Sequence, residues 1–112
     1  MRPPVLSRAL VLEAPGQAAD GAGGYAEAWT ALGTLRADVQ LRSGRDTAGA
    51  AGAQGLTSYR IVVRAAPPGA PSRPQAGQRF REGGRLFAIR AVAEAGGAGR
   101  FLVCFAEEEV SA

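Results

Sequence analysis

Apolar and polar residues alternate with a period of two in several short stretches of this chain, and no stretch shows the three-to-four spacing of a helix. The clearest case is Leu35, Ala37, Val39 and Leu41 on one face against Arg36, Asp38, Gln40 and Arg42 on the other. Such alternation marks a strand with one face buried. Tyr59, Ile61 and Val63 opposite Arg60 and Arg64 repeat it, as do Phe87, Ile89, Ala91 and Ala93 within Arg85–Ala95. Further strands are predicted over Val5–Glu13, Tyr25–Ala31, Gln78–Glu82 and Arg100–Ala106. The predicted inward set is Leu35, Val39, Ile61, Val63, Phe87, Ile89, Phe101 and Phe105, with Arg36, Arg60 and Arg64 outward. Trp29 is assigned to the core because an indole buries on the order of 150–250 Å².

Breaks between these stretches are written in glycine and proline. Ala14-Pro15-Gly16 ends the first strand, QAADGAGG forms a small-residue turn, and Leu32-Gly33 separates the next two strands. Prolines 67, 68, 71 and 74 forbid regular structure, and Gly83-Gly84 signals a tight hairpin turn. Six or seven short strands without an amphipathic helix predict an all-β fold, a small antiparallel β-barrel or sandwich. At 112 residues the chain is one domain, residues 1–112. It buries roughly 65% of its unfolded surface, so assembly should add stability.

One stretch fits no strand. Residues 42–55 (RSGRDTAGAAGAQG) are nearly without side-chain bulk and carry glycines 49, 52 and 55 at every third position. Two of them cost a helix over Asp46–Gln54 about 1 kcal/mol each, and no apolar stripe could dock it. The stretch is therefore expected to be a long flexible loop after the third strand, and compact domains seldom keep such loops without a use. Folded back on itself it would reach roughly 23–25 Å.

Charge is segregated along the chain. All thirteen basic residues are arginine, with lysine, histidine and asparagine absent. Residues 1–41 hold three arginines and four acids, residues 42–100 ten arginines and three acids, and the remainder only Glu107, Glu108 and Glu109. A basic middle beside an acidic end suits contact with a polyanion or head-to-tail pairing of subunits. Arg60, Arg64 and Glu107–Glu109 are the candidate interface residues.

Enzymatic patterns are nearly empty, and the chain is read as a non-enzyme without cofactor, metal or small-molecule substrate. Without histidine, His-based triads and His metal sites are excluded. The isolated acids offer no carboxylate pair, and the glycine clusters lack the Lys-Ser/Thr and helix of a phosphate loop. Cys104, the single cysteine, lies in FLVCFA as a small hydrophobe. No apolar run approaches a membrane span. Two prolines and Arg8 interrupt any signal-peptide core, so a soluble protein assembled in the cytoplasm is expected.

The run from Asp20 through Gly23-Gly24-Tyr25-Ala26-Glu27-Ala28-Trp29, followed by Leu35-Arg36-Ala37-Asp38-Val39 and Ser43-Gly44-Arg45, resembles the phage head–tail joining family. These are the head-closure or stopper proteins. Thr57–Arg64 is similar to the family's middle strand, Gly77–Ile89 to its hairpin, and Phe101–Glu109 to its last, glutamate-rich strand. The resemblance covers about Val5 to Val110. It departs at Leu35-Arg36-Ala37 and Tyr59, where the family pattern has an aromatic and a histidine, and after Arg45.

The resemblance implies a β-barrel subunit of a homo-hexameric ring. That ring would sit in the neck of a phage, prophage or gene transfer agent particle, between portal and adaptor proteins above and tail terminator or tail proteins below. It implies too that the long loop projects into the channel beside double-stranded DNA. The channel-facing candidates are Arg42, Ser43, Gly44, Arg45, Asp46, Thr47, Gly49, Gly52, Gln54 and Gly55. Arg42 and Arg45 could meet phosphate without reading sequence. A tail terminator or other neck protein, and a stand-alone sequence-independent nucleic-acid-binding barrel, are the alternatives. The second lacks a cluster of exposed aromatics among the arginines for base stacking.

Overall fold

A computed structural model describes residues 3–46 and 54–111. Six strands form: β1 (Arg8–Ala19), β2 (Tyr25–Asp46), β3 (Gln54–Arg64), β4 (Arg79–Glu82), β5 (Arg85–Ala95) and β6 (Phe101–Ser111). All pairings are antiparallel, and the order β1-β2-β3-β6-β5-β4 closes into a barrel. The predicted all-β class stands. The Gly83-Gly84 turn stands as well: Glu82 pairs with Arg85 across it, and Gly83 takes φ 60°.

Strand count differs from expectation because Tyr25–Ala31 and Leu35–Arg42 are one strand of 22 residues. Leu32-Gly33 does not end it but bulges it. Leu12 faces Gly33 while Glu13 faces Ala31, leaving Leu32 unpaired, and Gly33 adopts φ 147°. An inserted residue inverts the alternation beyond it. Leu32 therefore packs against the core and Trp29 is turned to the outer side, half-buried, which corrects its core assignment. β1 also runs on through Ala14-Pro15-Gly16 to Ala19. Beyond Glu13 it has β2 on one side only, and proline is tolerated at such an edge.

Inside the barrel, Leu10, Leu12, Ala37, Ile61, Val63, Phe80, Phe87, Ile89, Leu102, Cys104 and Ala106 are buried in one cluster. Side chains fill so narrow a barrel completely. Leu35 and Val39 pack at its margin, as expected of inward residues. Phe101 and Phe105 do not. Ile61 pairs with Cys104 and Val63 with Leu102, so β6 turns Leu102, Cys104 and Ala106 inward and both phenylalanines outward. A second bulge, at Arg90 between Ile89 and Ala91, sends Val92 inward and leaves Ala91 and Ala93 exposed. Burial pushes the Cys104 thiol up to about 12, which suits a core residue and not a nucleophile.

The expected loop 42–55 is shorter than the sequence suggested. Asp46 pairs with Gly55, Arg45 with Leu56, Gly44 with Thr57 and Ser43 with Ser58, while Gln54 pairs with Ser111 of β6. Thr47, Gly49 and Gly52 lie outside the described residues. The connection follows the second strand, not the third, because the two predicted strands before it are one.

Candidate functional site

Two hairpins leave the barrel at opposite ends, both built from β2. At one end β1 and β2 continue as a ribbon, residues 14–19 paired with residues 25–30. Its turn is fixed by Asp20, whose Oδ1 accepts from the Ala22 N–H (2.8 Å) and the Gly24 N–H (3.0 Å). Those bonds favour the charged carboxylate and lower its pKa.

The root of this ribbon is held from outside the barrel. Glu13 is only 6% exposed and accepts from Arg79 Nε (2.7 Å) and Arg81 Nε (2.8 Å). The bond from Arg81, helped by Arg79, holds the Glu13 carboxyl below its ordinary range despite burial. The Arg79 guanidinium carbon also lies 3.9 Å from the Trp29 ring centroid, a close cation–π contact. Trp29 thus reports on the ribbon root.

At the other end β2 and β3 run past the barrel with β6 beside them. A polar layer closes the interior here. Glu108, buried at 8% exposure, accepts from Arg85 Nε (2.8 Å) and Nη2 (2.9 Å) and from the Tyr59 hydroxyl (3.3 Å). Arg8 clamps Glu82 beside it through two bonds, one of them from Nε at 3.1 Å. The Arg85 bonds lower the Glu108 pKa and raise that of Arg85; the Arg8 bond lowers that of Glu82.

Glu107–Glu109 therefore do not act as one acidic block. Glu108 is committed inside the barrel, which corrects its reading as an interface residue. Glu107 points outward and pairs with Arg90 at 2.9 Å. Glu109 stands opposite Leu56 in register.

Between the two ends lies the outer wall of β3 and β6. Arg60 and Arg64 are exposed on it, as predicted. The guanidinium carbons of Arg42 and Arg60 sit 5.1 and 5.9 Å from the Phe105 ring centroid. Predicted channel and interface arginines thus meet on one ring. Val62 and Val103 pair across β3 and β6 on this wall, and the N-terminal segment lies at its border, where Asp38 accepts from the Val5 N–H.

Sequence reasoning missed Glu13, Arg79, Arg81, Asp38 and the Arg85–Glu108 pair. Glu13 and Arg79 are 66 positions apart, so only the closed register joins them. Among the described residues no group of His, Cys, Asp or Glu could hold a metal ion, and no helix is long and apolar enough to cross a membrane.

No curated protein matches the sequence. A solved structure described as the virion of a native gene transfer agent (GTA) particle contains a similar chain, 50% identical over 98% of this chain and 100% of that one, with a TM-score of 0.86. The sequence model of the phage head completion protein family matches residues 1–109. With almost the whole barrel inside that match, the chain belongs to the phage head completion protein family.

Proposed function

We propose that this protein is a structural, non-enzymatic subunit of the neck of a tailed particle, a phage or gene transfer agent. There it completes the DNA-filled head and receives the tail. The observation that carries the reading is the end-to-end likeness to a chain of a gene transfer agent virion, 50% identical at a TM-score of 0.86. Copies form a ring, taken as six-fold from the family resemblance, between portal and adaptor proteins and the tail. Double-stranded DNA passes through its channel. We assign the turn end of the β2–β3 hairpin to that channel, with Arg42 and Arg45 on phosphate, and Arg60, Arg64 and Glu107 to neighbouring subunits. Contacts to phosphate position a protein on DNA without reading its sequence, as a channel requires.

Deleting the gene in a particle-producing strain tests this. Electron micrographs should show filled heads that lack tails, or heads that have lost their DNA. Normal tailed particles with undiminished infection or gene transfer would refute the proposal.

A further inference from the structure

Among the described residues, the β1–β2 ribbon has no supporting strand. β4 meets β1 only at Val11–Glu13, and β3 meets β2 only from Ala37 onward. Residues 14–19 and 25–30 therefore bond to each other alone and leave both edges open. Two strands by themselves are marginal in water, and open edges invite pairing with another chain. The ribbon runs about 20 Å at the usual rise per residue. One of its faces carries Pro15, Gln17, Ala19, Tyr25, Glu27 and Trp29; the other carries nothing larger than threonine. Tyr25 is 72% exposed. Its charges are Asp20 and Glu27, and no arginine occurs between Arg8 and Arg36.

The outer wall of β3 and β6 has the opposite character. In the barrel order, β6 stands across from β1 and β3 across from β4, so this wall faces away from the ribbon root. Its middle is apolar: Val62 and Val103 are already buried, and Phe101 and Phe105 beside them remain partly exposed. Among the described residues none of Arg60, Arg64 and Arg100 forms an ion pair. A cavity of about 490 Å³ opens on the wall between Pro3, Pro4 and the sheet, with Phe101 and Val103 in its lining.

We infer that the β1–β2 ribbon of one copy docks on the β3–β6 outer wall of the next copy. Asp20 and Glu27 approach the unpaired arginines, and Tyr25, on the same ribbon face as Glu27, lies against the phenylalanines. Charge complementarity selects this occupant. A DNA backbone would satisfy the arginines but leave the partly exposed Phe101 and Phe105 uncovered. Donor and acceptor are different surfaces on opposite walls, so the contact is heterologous, the type from which rings are built when the rotation closes. The inference rests on the reading that copies of this chain are neighbours in the neck.

A photoreactive phenylalanine analogue placed at Tyr25 in the full-length chain, in particles purified from producing cells, tests the contact. Irradiation should give a dimer of this chain on a denaturing gel. Its cross-linked peptides should include residues 60–64 or 100–105. The R60E/R64E variant should reduce that dimer several-fold with an unchanged circular dichroism spectrum. A dimer joined elsewhere, an adduct with another particle protein or with DNA, or no adduct would overturn the inference. Normal tailed particles after gene deletion would sink the neck reading; a neck ring with cross-links outside the wall would sink the docking contact alone.

Discussion

β2 lends its first half to a two-stranded ribbon and its second half to a three-stranded extension, and the two are coupled to the barrel in different ways. In the extension, β6 stays beside β3 as far as Ser111, and the interior beneath is closed by Glu108, Arg85 and Tyr59. Motion of that end must disturb the core. The ribbon is held at one place, where Glu13 binds Arg79 and Arg81 and Trp29 lies over Arg79. Beyond that root its residues are nearly all exposed. One strand thus serves a firm end and an end free to meet a partner. Regions with few buried contacts open most easily.

Removing the shared core should have the largest effect and should level this contrast. Phe87 is fully buried, meets Tyr59 edge-on at 5.2 Å and lies under Arg85 at 4.9 Å. Phe87→Ala should cost about 3–5 kcal/mol in urea unfolding, the range for deleting a buried ring. Trp29 fluorescence and far-ultraviolet circular dichroism should then lose their signals in one transition, because ribbon root and barrel share β1 and β2. Fluorescence that changes well before circular dichroism would show that the root opens independently.

A smaller effect separates the two ends by pH. Glu13 is held below its ordinary value of 4.5 chiefly by Arg81, and Glu108 chiefly by Arg85. A carboxylate depressed in the folded state contributes stability above its unfolded pKa and loses it as pH falls through the folded one. Both therefore stabilise near neutrality and stop doing so in acid. Urea unfolding from about pH 7 down to about pH 3 should show this decline, and Glu13→Gln or Glu108→Gln should each flatten it. Native-state Trp29 fluorescence should respond to Glu13→Gln and not to Glu108→Gln. An equal response to both would mean that the ends are coupled.

Much of the barrel was legible because β3 and the middle of β2 alternate apolar with charged residues, which fixes the inward face. Ile61 and Val63 lie inward and Arg60 and Arg64 outward, as that rule requires. The rule has no purchase on FLVCFA, where both parities are apolar and only pairing with β3 decides that Cys104 is inside. Nor does it foresee bulges: one residue at Leu32 moves Trp29 outward, and one at Arg90 moves Val92 inward. Of the candidate site, the exposed arginines could be read from the chain, and the glycine-rich stretch located the end of the β2–β3 hairpin. The burial of Glu108 could not be read, because Arg85 lies 23 positions away and reaches it only across the closed sheet.

The smallest effect on folding should come from removing the ribbon tip, and it bears most directly on what that end is for. Gly16 and Ala28 are register partners, so an Asn-Gly pair replacing residues 17–27 would join them by a two-residue turn. The deleted residues are exposed apart from Gly24, and the only side-chain bonds lost are those of Asp20 within its own turn and the Glu27–Trp29 contact. Surface changes of this kind usually stay within about 0.5 kcal/mol, and shortening a connection changes closure entropy little. Urea midpoint and circular dichroism should therefore barely move, with the Arg79–Trp29 contact retained. Tailed particles should nevertheless fail to form in cells making only the trimmed chain, because the docking edge is gone while the wall that receives it remains. An unfolded variant would make the ribbon part of the barrel's own stability and erase the contrast between the ends. A folded variant that still yields tailed particles would leave the ribbon without the role its open edges suggest.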